Sequence, residues 1–206
     1  MSFTLWFMGR PASGKSTIAK RVENRLRELD ISVENLDGDE IRQNLHPDLG
    51  FSRADRAINN RRTAFISMLL NRNGIATVTG MITPFSDAQN EAREIVEKSG
   101  TFVLIYVKCP VEEGEKRDPK GLYEQARAGK IEKFTGVSHP FQEPHNPDIV
   151  VDTVESTIDE SVDHVMTKLD EFGVFDEGLK AKYRFDISRK QEQVIEKRLR
   201  DLGYIE

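Results

Sequence analysis

The sequence predicts an α/β fold built on a parallel sheet, and two observations carry this prediction. Short apolar runs alternate along the chain with longer amphipathic segments, which is the pattern of βαβ units. A glycine-rich turn joins the first apolar run to the first amphipathic segment. The chain has 206 residues, of which 37% are hydrophobic, so it is long enough to bury one sizeable core.

Apolar runs of strand length and amphipathic stretches of helix length follow one another in order. The predicted strands are Phe3–Met8, Val33–Leu36, Ile75–Thr79, Phe102–Val107 and Ile149–Val151. The predicted helices lie near Lys15–Glu28, Ser52–Arg72, Asp87–Lys98, Val111–Arg117 and Ile158–Phe172.

The alternation stops after Phe172, where "GVFDEGLKAKYRFD" intervenes. A further charged helix is expected over Ile187–Leu202, capped by Ser188 and ended by Gly203. We therefore predict a domain over residues 1–172 and a C-terminal helical extension over 173–206, which packs back on the domain or at a dimer interface.

Composition and charge exclude several classes of function. A net charge of −5 with 32% charged residues is typical of a soluble protein and argues against a nucleic-acid partner. The N-terminal "MSFTLWFMGRP" has no basic leader, and its apolar run is too short to span a membrane, so a cytoplasmic protein is expected. The single cysteine, Cys109, excludes an intramolecular disulfide and is expected to be a small buried side chain.

The segment "GRPASGKST" fits the phosphate-loop pattern G-x-x-x-x-G-K-[ST]. It lies directly after an apolar strand and before a helix, where backbone N–H groups and the helix N-terminus attract a phosphate. We predict that Lys15 bridges the β- and γ-phosphates of a nucleoside triphosphate and that Ser16 binds Mg²⁺. The residues expected to bind the nucleotide are Gly9, Arg10, Pro11, Ala12, Ser13, Gly14, Lys15, Ser16 and Thr17.

Two carboxylates follow the second strand, in "LDGDEIR". The ends of parallel strands share one edge of the sheet, so Asp37 and Asp39 should face the bound phosphates. One carboxylate can act on the water shell of the metal while the other accepts a proton from an acceptor hydroxyl, as a kinase requires. A surface turn with an N-capping aspartate is the alternative, and this stretch alone does not decide between them.

Cationic and aromatic residues follow the two carboxylates. Arg42 lies on the same helical face as Asp39 and can clamp an acceptor phosphate, and Phe51 follows the irregular "HPDLG". A cluster at the start of the next helix is either a solvated face or an anion pocket, and the neighbouring phosphate loop favours the pocket. Its members are Arg56, Asn59, Arg61 and Arg62.

A polar segment over residues 116–136, "KRDPKGLYEQARAGKIEKFTG", is longer than an ordinary connection. Its glycines flank a short basic helix, which suits a lid that closes over phosphates and excludes water. Phe134, near its end, can stack on a base. A mobile surface loop is the alternative.

Taken in order, five segments between residues 3 and 170 carry a resemblance to a known family. They are "GRPASGKSTIA", "LDGDEIRQNLHPDLGFS", "DRAINNRR", "RDPKGLYEQARAGKIEKFTG" and "HPFQEPHNPDIVV". In these segments the chain resembles the adenylyl-sulfate kinases, which use ATP to phosphorylate the 3′-hydroxyl of adenosine 5′-phosphosulfate (APS). The resemblance implies the P-loop NTPase fold, with a five-stranded parallel sheet flanked by helices and a helical lid. It also implies Mg²⁺ as the cofactor of ATP, APS as the second substrate and a homodimer.

The resemblance also implies roles for single residues. Asp39 acts on the acceptor hydroxyl, and Asp37 supports Mg²⁺ through water. Phe51 and Phe134 sandwich the adenine of the acceptor. The residues implied to contact the acceptor are Asp39, Arg42, Phe51, Arg56, Asn59, Ile82, Thr83, Lys120, Phe134 and Thr135. The implied catalytic set is Lys15, Asp37, Asp39 and Thr83.

One segment, "ITPFSDAQNEAR" at Ile82–Arg93, departs from the family pattern "ISPYRADRDRAR". Thr83 and Phe85 stand for serine and tyrosine. Three positions where the family has arginines carry Ser86, Gln89 and Glu91. If those arginines contact the acceptor, their loss weakens or redirects anion binding, because a charge-assisted hydrogen bond contributes about 1.5–3 kcal/mol.

The departure keeps a second hypothesis open, a related kinase that acts on another nucleotide conjugate such as a cytidine diphosphate derivative. A third hypothesis is a nucleotide-binding subunit without catalysis. The intact Lys15, Ser16 and Asp39 argue against the third hypothesis.

Overall fold

A computed structural model describes residues 2–201 of the chain, apart from the side chains of residues 185, 186, 190, 191, 193 and 201. The strands are β1 (Phe3–Met8), β2 (Val33–Asp37), β3 (Ala76–Met81), β4 (Thr101–Lys108) and β5 (Ile149–Asp152). The helices are α1 (Lys15–Glu28), α2 (Gly38–Leu45), α3 (Arg53–Arg72), α4 (Ser86–Val96), α5 (Val111–Arg117), α6 (Leu122–Arg127), α7 (Ile158–Glu171) and α8 (Glu177–Asp201).

The strands form one five-stranded sheet in the order β2-β3-β1-β4-β5. All pairs are parallel, which confirms the predicted α/β architecture. Strand β1 lies at the centre, and every residue of "FTLWFM" is buried because the strand has a neighbour on each side and a layer of helices on each face. The carboxyl ends of β1, β2 and β3 therefore lie side by side and place the segments that follow them at one edge.

Helices cover both faces of the sheet and divide the core in two. On one face, Ile18 of α1 and Val165 of α7 pack with Leu5 and Phe7. On the other face, side chains of α3 and α4 pack around Trp6. Cys109 follows β4 and is buried, as expected. Within residues 2–201, the structure has no helix that combines the length and apolar character needed to cross a membrane.

The C-terminal helix begins earlier than predicted. It starts at Glu177 rather than Ile187, so Ser188 lies inside the helix and is not its cap. The reason is packing. Phe175 and Tyr183 are buried in the core, with ring centroids 5.6 Å apart, and these contacts fix the first turns of α8.

The first part of the C-terminal extension thus packs on the domain, which is one of the two predicted arrangements. The predicted end of the helix at Leu202 and Gly203 lies outside the described residues.

Candidate active site

The loop between β1 and α1 curls as a phosphate loop must. Gly14 caps α1 in the left-handed conformation, with φ of 95°. Gly9 has φ of 155°, and a Cβ there would overlap the carbonyl oxygen of Val107. The glycine at position 9 is therefore a steric requirement.

Lys15, the first residue of α1, is held inside this loop. Its Nζ donates to the carbonyl oxygen of Arg10 at 2.6 Å and to Oγ of Ser13 at 3.3 Å. Burial lowers the pKa of Lys15 to about 8, against an attraction to Asp39 that acts in the opposite direction. The ammonium is thus already desolvated before a ligand binds, which favours binding of an anion.

The lowered pKa of Lys15 predicts a pH-dependent affinity for ATP. The lysine is charged below pH 8 and loses its proton as the pH rises through that value. At pH 9 about one molecule in ten retains the charge, so binding should be about tenfold weaker than at pH 7. Calorimetric titration with a non-hydrolysable ATP analogue measures this. Lys15→Arg, which stays charged, should lack the dependence, and a flat affinity in the unmodified protein would contradict it.

Asp37, at the end of β2, is the N-cap of α2, and its second carboxylate oxygen faces the phosphate loop. Its Oδ1 caps α2, accepting from the backbone N–H groups of Asp39 at 3.0 Å and Glu40 at 3.4 Å. Its Oδ2 faces the phosphate loop. A Cβ built on Gly80 would lie 3.6 Å from Oγ of Ser16 and 3.7 Å from Oδ2 of Asp37. The absent side chain at Gly80 leaves a cradle lined by two oxygen ligands, which fits Mg²⁺.

Asp39 lies between the phosphate loop and the lid. Its carboxylate forms an ion pair with Lys120 of the lid, and both side chains are exposed. The hydrogen bond that Lys120 donates to Asp39 raises the pKa of Lys120 above its usual range. The residue expected to act on the hydroxyl is thus held at the mouth of the site by a cation from the lid.

A single large cavity joins these groups to the predicted acceptor pocket. Its volume is about 990 Å³. Residues of the phosphate loop, Asp39 and Phe51 all belong to its lining. The lining includes most of the predicted site residues, namely Pro11, Ala12, Gly14, Lys15, Ser16, Thr17, Asp37, Asp39, Arg42, Phe51, Arg56, Asn59, Ile82, Thr83, Lys120, Phe134 and Thr135.

Two arginines of the cavity lining lie close to the exposed ring of Phe51. The guanidinium carbon of Arg42 lies 4.7 Å from the ring centroid and that of Arg56 lies 5.5 Å from it. Arg42 donates to the carbonyl oxygen of Gly50 at 2.7 Å, and Arg56 donates to that of Lys133 in the lid at 3.2 Å. Among the side chains that the structure describes, neither arginine forms an ion pair with a carboxylate.

The electrostatics of this pair favour an anion. Arg56 is only 7% exposed. Burial, with a smaller effect from the nearby Arg42, lowers the pKa of Arg56 to about 10, so it remains charged at neutral pH. A buried cation without a counter-ion is costly unless a ligand supplies the charge.

The remaining members of the predicted arginine cluster face away from the cavity. Arg61 forms an ion pair with Glu91 at 2.6 Å, and Arg62 pairs with Asp48 at 3.0 Å on the outer surface of α3. The prediction that they share the anion pocket is wrong for these two. Helical rotation separates them from Arg56 and Asn59, which do line the cavity.

Two buried polar atoms in the cavity wall have no hydrogen-bond partner among the described residues. They are Oγ1 of Thr135 and Nδ2 of Asn60. Buried polar groups are nearly always paired, so such atoms are consistent with a site for a polar ligand. The sequence singled out Thr135 but not Asn60.

Thr83, a predicted catalytic residue, is buried in the floor of the cavity. Its φ of 41° is unusual for a β-branched residue. Its Oγ1 accepts a hydrogen bond from Nε1 of Trp6 at 2.9 Å. A hydroxyl that accepts from an indole still carries its own hydrogen, so Thr83 can donate one bond to a ligand.

The lid contains the predicted short helix, α6, flanked by Gly121 and Gly129, both with positive φ. Phe134 packs edge-on against Tyr123, with centroids 4.9 Å apart. Tyr123 donates to the carbonyl oxygen of Pro11 at 3.1 Å. The lid is therefore docked on the phosphate loop, and Phe134 lies at the cavity wall.

The nucleotide end of the cavity contains residues that the sequence did not indicate. Arg117 donates to Oγ1 of Thr153 at 2.9 Å and to its carbonyl oxygen at 2.7 Å, and both residues line the cavity. Only the position of Thr153 in the sequence could have indicated it, because Thr153 follows β5 at the same edge of the sheet as the phosphate loop.

The altered segment Ile82–Arg93 contacts the cavity only at its start. Ile82, Thr83 and Pro84 are in the lining, whereas Ser86, Gln89 and Glu91 are outside it in the part of the chain that the structure describes. Gln89 is buried and donates to the carbonyl oxygen of Thr83 at 3.2 Å.

Arg93, the last residue of that segment, is also outside the cavity lining. It forms an ion pair with Asp148 at 2.6 Å, and its guanidinium carbon lies 4.9 Å from the ring centroid of Phe102. This arginine therefore fastens α4 to β4 and to the segment before β5.

Comparisons with known proteins agree with this geometry. The sequence model of the family described as adenylylsulphate kinase matches residues 1–152. The adenylyl-sulfate kinase of Halothermothrix orenii is 45% identical over 170 residues, which cover 82% of this chain and 90% of that one. The adenylyl-sulfate kinase of Clostridium acetobutylicum is 43% identical over 165 residues, covering 80% and 82%.

A solved structure shares the fold. The APS kinase of Mycobacterium tuberculosis, in complex with AMPPNP and APS, superposes with a TM-score of 0.80 at 40% identity. The match covers 82% of this chain and 98% of that one. With family, sequence relatives and fold in agreement over most of its length, the chain belongs to the adenylyl-sulfate kinases, a family of ATP-dependent phosphotransferases.

Proposed function

We propose that this protein transfers the γ-phosphate of ATP to the 3′-hydroxyl of APS, giving 3′-phosphoadenylyl sulfate and ADP. One observation carries the proposal. One cavity is lined by the phosphate loop, by Asp39 and by Phe51, and the guanidinium groups of Arg42 and Arg56 lie beside the Phe51 ring. Such a cavity suits a triphosphate and an anionic aromatic acceptor placed head to head.

Each end of the acceptor has matching chemistry in the cavity. The phosphosulfate oxygens accept hydrogen bonds from Arg42, Arg56 and Asn59, and the adenine stacks between Phe51 and Phe134. The acceptor hydroxyl then lies near Asp39, which takes its proton as the oxygen attacks the γ-phosphorus. Lys15 donates to the phosphate oxygens and stabilises the charge that develops on them.

The cofactor is Mg²⁺, bound together with ATP. Oγ of Ser16 would coordinate it directly, and Asp37 would hold one of its water ligands. When bound, the ion neutralises charge on the β- and γ-phosphate oxygens. The catalytic set is thus Lys15, Asp37 and Asp39, with Thr83 as a donor in the cavity floor.

The protein is further proposed to be a cytoplasmic homodimer that acts in sulfate assimilation. The family resemblance supports the dimer and the pathway. Analytical ultracentrifugation of the full chain tests the dimer, and a monomer at micromolar concentration would contradict it.

A kinase for another nucleotide conjugate is the alternative. Its support came from the altered segment, but Ser86, Gln89 and Glu91 are not in the cavity wall that the structure describes. The residues proposed to recognise an adenine with a neighbouring anion all line the cavity, which supports the APS hypothesis. The alternative therefore has no observation of its own.

The test offers the purified protein Mg-ATP with APS, and in parallel with a panel of cytidine and adenosine nucleotides, while ADP release is followed. APS should be turned over with a kcat/KM at least tenfold above that of any other nucleotide. A mismatched nucleotide would leave buried polar groups of the cavity unpaired, at a cost of roughly 1–3 kcal/mol each. Turnover of another nucleotide without turnover of APS would overturn the proposal.

Restoring the family arginine at position 86 should have little effect. Ser86→Arg is expected to change the KM for APS by less than about twofold, because a surface substitution away from the site is usually within 0.5 kcal/mol. Steady-state kinetics measure it, with Arg56→Gln as the comparison that must raise the KM. A clear fall in KM for the Ser86→Arg variant would show that the departure from the family pattern does reach the acceptor.

A further inference from the structure

A histidine with no role in the proposed reaction lies directly behind the acceptor end of the cavity. His46 follows α2, and only 1% of its surface is exposed. Its Nδ1 lies 2.6 Å from Oδ1 of Asn59 on α3. Asn59 lines the cavity one turn after Arg56. His46 is therefore linked to the acceptor pocket through one side chain.

This hydrogen bond fixes the direction of the Asn59 amide. An amide oxygen only accepts, so Nδ1 of His46 carries the hydrogen in this pair. With Oδ1 held by the buried ring, the NH₂ group is the free end of the side chain. No hydrogen bond from this NH₂ group is found in the described part of the structure, so the group is available to a ligand in the cavity.

The turn that contains His46 has a second anchor on α3. The carboxylate of Asp48 accepts from both Nη atoms of Arg62, at 3.0 and 3.1 Å, and both side chains are exposed. Asp48 thus holds the same turn without touching the cavity. It provides a control that separates loosening of the turn from an effect on Asn59.

We propose that His46 is a positioning residue for acceptor recognition. It holds the Asn59 amide so that the NH₂ group, and not the carbonyl oxygen, meets the acceptor. The ligand chemistry is an oxyanion, since a sulfate or phosphate oxygen accepts from this NH₂ group while a carbonyl oxygen in its place would repel it. This inference rests on the proposed function, because the acceptor is taken to be APS.

The experiment measures kcat and KM for APS and the dissociation constant for an ATP analogue in full-length variants. His46→Leu should raise the KM for APS about tenfold and leave ATP binding unchanged, because one oriented charge-assisted hydrogen bond is weakened. His46→Asn, whose amide NH₂ can take the place of Nδ1–H, should recover most of the loss. Asp48→Ala should stay within about twofold of the unmodified protein.

A double-mutant cycle with Asn59→Ala decides whether His46 acts through Asn59. In the Asn59→Ala background, His46→Leu should add less than about twofold to the KM. An equal tenfold effect in both backgrounds, an equal effect of Asp48→Ala, or an unchanged KM in His46→Leu would each overturn the inference. If His46→Leu does not fold, His46→Gln, whose amide cannot occupy the Nδ1 position, carries the same expectations.

The proposed function and this inference fail differently. If the unmodified protein does not phosphorylate APS, the proposed function is wrong. If it does and the His46 variants retain their KM, only the inference is wrong.

Discussion

Replacing Asp39 by asparagine is expected to stop phosphoryl transfer while ATP binding persists. The amide has nearly the shape of the carboxylate but cannot take the proton of the acceptor hydroxyl, so kcat should fall by about 10²–10⁴. Asp39 is exposed and makes its contact with Lys120, so the fold should not suffer. Stopped-flow or steady-state assays with Mg-ATP and APS measure the loss, and calorimetry measures ATP binding.

The ion pair between Asp39 and Lys120 requires a control. Lys120→Met removes the same ion pair and keeps the carboxylate. If Asp39 acts as the proton acceptor, Lys120→Met should lose far less kcat than Asp39→Asn does. Equal losses, or an undiminished rate in Asp39→Asn, would remove Asp39 from the proton transfer.

Replacing Arg56 by glutamine is expected to give the second large effect, a KM for APS raised by about 10- to 100-fold. The buried guanidinium lies beside the ring of Phe51 and has no ion-pair partner among the described side chains, so we expect it to pair with the acceptor anion. Each charge-assisted hydrogen bond that is lost contributes about 1.5–3 kcal/mol. Steady-state kinetics with APS as the varied substrate measure the change.

Arg62→Gln is the matched control for Arg56→Gln. Arg62 lies on the same helix but pairs with Asp48 on the outer surface, so its loss should alter the KM by less than about twofold. ATP affinity should be the same in both variants. If both variants raise the KM equally, the effect of Arg56 is one of net charge and not of contact with the acceptor.

Most of the fold could be predicted because local signals and tertiary packing agree. Each predicted strand is present within one or two residues of its predicted ends, and the phosphate loop lies between β1 and α1 as the motif requires. The start of α8 was missed for a physical reason. Gly178 and a run of charged residues hide its periodicity, and the helix there depends on contacts of Phe175 and Tyr183 with distant parts of the core.

The candidate site was predictable where a residue type has one plausible chemistry at its position. Lys15, Asp37 and Asp39 are such residues, and the structure brings them into one cavity. For the arginines of α3, the rotation of each position about the helix axis determines whether the side chain reaches the cavity. Arg56 and Arg61 look alike in the sequence, yet one faces Phe51 and the other pairs with Glu91.

Contacts between residues distant in the chain could not be predicted from the sequence. The hydrogen bond of His46 to Asn59 joins a turn to a helix, and Arg117 meets Thr153 from a different element. No periodicity or motif indicates either pair. Such contacts depend on how the elements pack.

The central claim is that the acceptor hydroxyl beside Asp39 is the 3′-hydroxyl of APS. The most direct measurement is the phosphorus NMR spectrum of the product formed from Mg-ATP and APS. A new phosphomonoester on the 3′-carbon, formed in equal amount to ADP and with the phosphosulfate intact, is the predicted result. Phosphate on another position, or only free phosphate beside unchanged APS, would contradict the assignment.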